Sequence, residues 1–305
     1  MKCINFDERF ADFTAKWMKE HRSEYKTYDE MEDDLPRVYT EFLNMPAKWL
    51  DGVTPGAYFT QFEDAKDLVD WMVQYCQKDI PVPDMLMEQI QAVGRPCEKR
   101  LLTLLRDGLD KRTAETGQKY TLSVAVGAGD SLLKPIDPAR LNALADQVVV
   151  MAYDLCGFDR ETGHHAALYP DDNTRQSGAR AVRTLTQGGL SADKILLGIP
   201  AYGRMWRQVS GRAVTQTAGI SGTKVLNFPD LLALESQGYT RYYDGAAKAA
   251  YWVGGENFVS GEDEQSIRDK AQWAVQQGLQ GAAVWSYGQD DSGKLLAWLK
   301  EALSQ

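Results

Sequence analysis

The sequence predicts an α/β body behind an all-α head, and three observations carry that reading. From about residue 118 onward, short apolar runs alternate with helical patterns. Before residue 94 the apolar residues recur at spacings of three and four, with no strand pattern of useful length. The charge divides at the same place: residues 1–94 hold 19 Asp and Glu against 10 Lys and Arg, whereas residues 95–305 hold 24 of each. An acidic helical domain over 1–94 therefore precedes a neutral domain over 95–305, in keeping with a length of 305 residues and the usual size of domains. Hydrophobic residues at 44% and charged residues at 25% exclude disordered and fibrous classes.

In the head, Asn5 followed by Glu8 predicts a capped helix start. Phe6, Phe10, Phe13 and Trp17 then mark one helical face. Thr27 and Glu30 repeat the cap, and Pro36 breaks or restarts that helix. Pro46, Gly52, Pro55 and Gly56 predict a loop. A further helix spans about Asp64 to Cys76, with Leu68, Trp71, Met72 and Tyr75 on one face, and another begins near Asp84. Glu32-Asp33-Asp34 reads as a solvated face rather than a catalytic group, and the aromatic stripe reads as core.

In the body, Tyr120–Gly127, Val148–Tyr153, Ile195–Ile199 and Gly281–Ser286 read as strands. Val148–Tyr153 is continuously apolar, as in a parallel sheet covered on both faces. Helices are expected over Pro138–Ala145, Arg175–Gln187, Ile267–Gln277 and Gly293–Ala302, with a loop through Gly157 and Gly163. The residues between the third and fourth strands are too many for a plain loop, so an inserted α+β subdomain is expected over about 207–265.

Several classes are excluded. No apolar run approaches the roughly 20 residues a spanning helix requires, so no membrane partner is expected. The acidic-to-neutral charge balance argues against nucleic acid. Met1–Glu8 lacks the apolar core of a signal peptide. Cys3, Cys76, Cys97 and Cys156 show no paired spacing, which implies neither a disulfide framework nor a metal site and fits reduced thiols in the cytoplasm. No cofactor is expected.

Polar residues collect at the C-terminal ends of the strands: Tyr153 and Asp154 after the second, Tyr202 and Arg204 after the third, Trp285 at the fourth. In a parallel barrel that end carries the chemistry. Aromatics mixed with Asp and Arg, without a Gly-rich phosphate loop, suit a sugar, whose ring faces stack and whose hydroxyls require polar partners.

These residues also carry a resemblance. Met151-Ala152-Tyr153-Asp154, Gly198–Trp206 and Gly281–Ser286 resemble strands six, seven and eight of glycoside hydrolase family 18, the chitinase family. Thr162–Tyr169 and Asp263–Ile267 add matches, and the similarity spans about residues 98–305. The resemblance implies a partial (β/α)8 barrel covering strands five to eight, with the insertion walling a glycan groove. It implies that the N-acetyl oxygen of the substrate is the nucleophile, the substrate-assisted exception to the two-carboxylate scheme. It assigns Tyr153 to the N-acetyl group, Asp154 to the sugar beside the scissile bond, Tyr202 and Arg204 to sugar contacts, and Trp285 to the apolar floor, with Met151 in support. The implied partner is a glycan containing N-acetylglucosamine.

The family's general acid closes an Asp-x-x-Asp-x-Asp-x-Glu run on strand four, and these 305 residues contain no such run. Asp107-Gly108-Leu109-Asp110 is a decoy: Arg112 and Ala114 stand where Asp and Glu are required, and Leu101, Leu104, Leu105 and Leu109 fit a helix face. The chain thus reads as a helical domain fused to half a family 18 barrel, with little or no hydrolysis expected of it alone. An open half barrel exposes strand edges and apolar surface, so a homodimer, a complementing chain or the head itself is the expected cover. The alternative reading is an interaction or structural protein led by the head.

Overall fold

The computed structural model describes residues 2–156, 162–170, 175–207 and 223–304. The chain divides into two compact units, Met1–Gly108 and Leu109–Gln305. Among the described residues no helix is long and apolar enough to cross a membrane.

The described residues of the first unit form helices and turns only. Helix α1 (Phe6–His21) starts where the Asn5 side chain accepts the Glu8 N–H at 3.2 Å. Helix α2 (Tyr28–Asp33) is capped in the same way by Thr27. Pro36 sits in the first turn of α3 (Leu35–Asn44), where a missing N–H costs no helical bond. The expected loop contains the short 3₁₀ turns Lys48–Leu50 and Pro55–Ala57. Helix α4 (Ala65–Gln77) begins at the Asp64 cap, α5 (Asp84–Val93) follows Pro83, and α6 runs Arg95–Thr116. Asp107 to Glu115 are therefore helical.

Phe59, Leu68, Trp71, Tyr75 and Leu86 form the principal core of this unit, joined by Phe6. Trp17 packs in a separate cluster with Met31 and Val38, against which Phe10 and Phe13 are half-buried, so the predicted aromatic stripe serves two cores. The Trp71 indole donates to the Lys2 carbonyl at 3.2 Å, and the Tyr75 hydroxyl bridges the Ile4 N–H and C=O, pinning the start of the chain. Burial pushes the Tyr75 phenol up to about 12. Cys97, Leu101 and Leu104 of α6 pack on the same core, which carries this unit past Gly94 to Gly108.

In the second unit, β1 (Ser123–Gly127) leads through α7 (Asp130–Leu133) and α8 (Pro138–Leu144) to β2 (Gln147–Met151). Helix α9 (Gly178–Gln187) precedes β3 (Ile195–Pro200). Strand β4 (Tyr202–Arg207), β5 (Thr223–Asn227), α10 (Phe228–Ala233), β6 (Thr240–Asp244), β7 (Ala249–Gly254) and β8 (Asn257–Gly261) follow, then α11 (Glu264–Gln276), β9 (Gly281–Trp285) and α12 (Lys294–Leu303). Strands β1, β2, β3 and β9 form a parallel sheet in that order. Val148, Val150, Ile195, Leu197 and Ile199 are its fully buried members. Gly198 allows β2 and β3 to lie close: a Cβ there would stand 2.5 Å from the Val150 carbonyl oxygen.

Strands β4 to β8 form an antiparallel sheet in the order β5-β4-β8-β7-β6. The antiparallel sheet thus starts at Tyr202, ahead of the expected 207, separated from β3 only by Ala201. Tyr-Gly-Arg reads as a loop locally, but pairing with β5 on one side and β8 on the other makes it a central strand. The stretch 208–222 of the expected subdomain and the Gly157 turn lie outside the described residues. On the return, Asp263 caps α11 in a reciprocal box with Ser266. Just before it, Glu262 is buried in an ion pair with Lys270 and accepts the Ser266 hydroxyl at 2.5 Å.

Candidate functional site

The candidate site is built where β2, β3 and β9 end and β4 begins. Met151 closes β2, and Tyr153 and Asp154 follow it. Asp154 adopts φ +56°, a left-handed conformation that aspartate tolerates better than most residues and that its surroundings here hold. Those surroundings are Arg204 and His165. The Arg204 guanidinium donates Nε to Oδ1 at 3.0 Å and Nη2 to Oδ2 at 2.8 Å, the two-pronged geometry that suits a carboxylate. His165 Nδ1 lies 3.5 Å from Oδ1.

Burial by itself would raise the Asp154 pKa, but the adjacent His165 and the Arg204 ion pair overcome it and hold the carboxyl well below the usual range. Burial keeps the His165 pKa down, against the raising effect of Asp154. His165 Nδ1 makes no hydrogen bond to Asp154 at 3.5 Å and a neutral imidazole carries no charge, so the guanidinium supplies both the hydrogen bonds and the electrostatic part. The Asp154 side chain keeps 33% of its surface exposed, leaving room for a ligand beside the ion pair.

Aromatic rings surround this pair. Tyr153 and Tyr202 meet edge to face at 6.1 Å between centroids, Arg204 lies over the Tyr202 ring at 5.5 Å, and the His165 ring is 5.3 Å from it. Burial first, and the neighbouring Asp154 second, push both phenols up, so they are neutral hydroxyls at ordinary pH. Trp285 ends β9 opposite Pro200 of β3, and its carbonyl accepts the Ala201 N–H at 2.6 Å. Its side chain is 60% exposed, and the Trp285–Ser286 peptide is cis.

The structure therefore brings Tyr153, Asp154, Tyr202 and Arg204 into one connected group, with Met151 and Trp285 on the adjoining strand ends. Sequence reasoning gave His165 no role. The available signal was weak: His164 and His165 are two of only three histidines in the chain, set in an apolar loop. Both are fully buried, and His164 contacts Asp244 of the antiparallel sheet at 3.3 Å. Among the described residues no group of His, Cys, Asp and Glu is arranged to hold a metal ion. Chemically, the group offers a fixed carboxylate acceptor, neutral phenols and an exposed indole face.

Comparison with known proteins gives this arrangement its relatives. The model of glycosyl hydrolases family 18 matches residues 94–290. Chitinase A1 of Niallia circulans is 34% identical over 236 residues, covering 68% of this chain and 34% of the relative. A class V chitinase of Arabidopsis thaliana is 32% identical over 206 residues, covering 63% of this chain and 54% of the relative. The chain thus spans between a third and about half the length of these two relatives. Among solved structures, a family 18 N-acetylglucosaminidase from Paenibacillus barengoltzii superposes with a TM-score of 0.64 at 32% identity, covering 68% of this chain and 64% of that one. The match reaches across the parallel strands and the inserted sheet to β9, and the chain belongs to glycosyl hydrolase family 18.

Proposed function

We propose that this chain is a chitinase-like family 18 protein that holds a glycan containing N-acetylglucosamine and hydrolyses it very weakly or not at all. In this reading residues 95–305 supply strands five to eight of a (β/α)8 barrel, and residues 1–94 are an acidic helical domain fused to it. Tyr153 receives the N-acetyl group, Asp154 accepts a hydrogen bond from the sugar, Tyr202 and Arg204 contact it from the side, and Trp285 lies beneath the ring. Met151 supports Tyr153.

The observation that carries the reading is the two-pronged Arg204–Asp154 ion pair. A carboxyl so held is ionised at neutral pH. It can accept a hydrogen bond from a sugar, but it has no proton to give to a leaving oxygen. General-acid catalysis contributes about 10²–10⁴-fold, and no Asp-x-x-Asp-x-Asp-x-Glu run is present to supply that acid.

The test pairs a fluorogenic chito-oligosaccharide assay with direct titration of N-acetylglucosamine oligomers. Binding without turnover, weakened by Trp285→Ala and Tyr153→Phe, is the expected result. Turnover at ordinary enzyme rates that Asp154→Ala abolishes would overturn the inactivity. A chain that neither binds nor cleaves would overturn the glycan reading.

A second reading has its own support. The parallel sheet ends in β1 on one side and β9 on the other, and the apolar β9 run Gly281–Trp285 is only partly buried. Open parallel edges of this kind accept further strands. A second chain, either another copy or a separate one carrying strands one to four, would close the barrel. Activity appearing only on mixing with a chain carrying those strands is the outcome that favours this reading.

A further inference from the structure

The helical unit contains a cavity of about 370 Å³ between α1, the end of α3 and the turn that follows it. Small-molecule sites begin at about this size. Phe13, Phe42, Met45 and Trp49 supply its apolar wall. Met45 is 44% exposed there, although it has an apolar side chain in a domain with a well-formed core.

Charge is sorted at this cavity against the trend of the domain. Residues 1–94 hold 19 acids and 10 bases, yet Arg9, Lys16 and Lys48 line the cavity with Asp12 as the single acid. Among the described residues, neither Arg9 nor Lys48 has a carboxylate within ion-pair distance. Arg9 instead lies over the Trp49 ring at 5.5 Å, which places a cation directly on the apolar wall. Lys16 has only an exposed contact with Glu20 at 3.7 Å, a pairing that contributes little and exchanges readily. Cations without a close carboxylate partner in an acidic domain, around an apolar hollow, complement a ligand that is apolar at one end and anionic at the other.

We propose that this cavity binds a small anionic amphiphile, a carboxylate head on an aliphatic body, with the head among Arg9, Lys16 and Lys48 and the body against Phe13, Phe42, Met45 and Trp49. The site is separate from the Asp154 group and independent of the glycan reading. A neutral N-acetylglucosamine oligomer is a poor occupant, because it carries neither a net negative charge nor a long apolar tail. An acidic peptide with one apolar anchor shares part of the chemistry, but the hollow has the volume of a small ligand.

The test is calorimetric titration of the full chain with decanoate kept below micelle-forming concentrations, alongside decyltrimethylammonium as a probe of equal body and opposite charge. One saturable decanoate site per chain is expected, with a change in tryptophan fluorescence from Trp49 and no matching site for the cation. Lys16→Glu combined with Lys48→Glu should weaken decanoate binding at least tenfold, about 1.4 kcal/mol by the affinity relation. Both side chains are exposed, so circular dichroism should show unchanged helix content. Met45→Ala should weaken binding without changing its salt dependence, whereas the double charge reversal should flatten that dependence. Failure of decanoate to saturate, equal binding of the cation, or indifference of a folded double variant would overturn the proposal. A site that accepts only an acidic peptide would overturn it as well.

Discussion

At the scale of single residues, the ion pair between Arg204 and Asp154 sets what the site is able to do. The carboxyl is ionised at neutral pH, and its depressed pKa links the fold to acid. A carboxyl that binds protons less readily when folded contributes stability above its ordinary value of 3.8, and the contribution fades as pH falls through the folded value. His165 acts in a higher window. Its folded pKa lies below the ordinary 6.5, so the unfolded chain takes up the proton first and stability starts to fall as pH drops below that value. Chemical denaturation from pH 8 downward should therefore show one decline below 6.5 and the onset of a second below 3.8, and His165→Gln should remove the upper one. Arg204→Ala should cost about 1–2 kcal/mol at pH 7, the range for a charge-assisted hydrogen bond discounted for partial exposure. The same change should raise the Asp154 pKa, read by carboxyl NMR titration; an unchanged value would show that Arg204 is not what holds it. The strand ends that place Tyr153, Asp154 and Trp285 are legible in the sequence, because apolar runs stop at polar residues there. His165 is not legible, because its partner is distant in sequence and nothing local distinguishes it from a core histidine.

At the scale of elements, caps and apolar runs predict most of what forms. Asn5, Thr27 and Asp64 each cap the helix that their sequence pattern announces, and Val148–Val150 and Ile195–Ile199 each lie within a parallel strand. Strand β4 is the instructive miss. Tyr202-Gly203-Arg204 has neither the apolar run nor the β-branched residues of a strand, and only its two neighbours hold it straight. Its glycine reports the same closeness: a Cβ at Gly203 would meet the Ser260 carbonyl oxygen at 2.8 Å and a Leu231 methyl at 2.6 Å. Gly203→Ala and Gly198→Ala should each destabilise the second unit by about 1–3 kcal/mol, the usual cost of overpacking. Of the two, Gly198→Ala should be the worse, because the nearest backbone oxygen stands closer, 2.5 Å against 2.8 Å. Equilibrium urea denaturation checks both.

At the scale of the whole molecule, the relevant fact is the division into two compact units, each with its own core residues. Units that fold as separate cooperative blocks melt as separate transitions. Scanning calorimetry should resolve two, and Trp71→Ala, which removes a buried indole from the head core, should lower only one. The cost to that unit should be about 3–5 kcal/mol. A single transition that shifts as a whole would mean that the units unfold together. The charge step falls near residue 94, whereas the compact units divide after Gly108. Helix α6 crosses that boundary, and the side chains that tie the first turns of α6 to the head look like any amphipathic face until their neighbours are known.

Because the antiparallel sheet leaves the parallel one at Ala201, Tyr202 and Arg204 belong to the antiparallel sheet and not to the parallel one. Insertions are often dispensable over evolutionary time: a lineage trims them and retains the parent scaffold with its chemistry. Trimming here would leave every parallel strand in place, yet strip Asp154 of its counter-charge while it still holds a left-handed backbone. The loss would be felt at Asp154 first and in the scaffold only later. The antiparallel sheet and Asp154 are heritable as one unit, so shortened descendants of this chain that retain an aspartate at position 154 should also retain β4, whatever else of that sheet they discard.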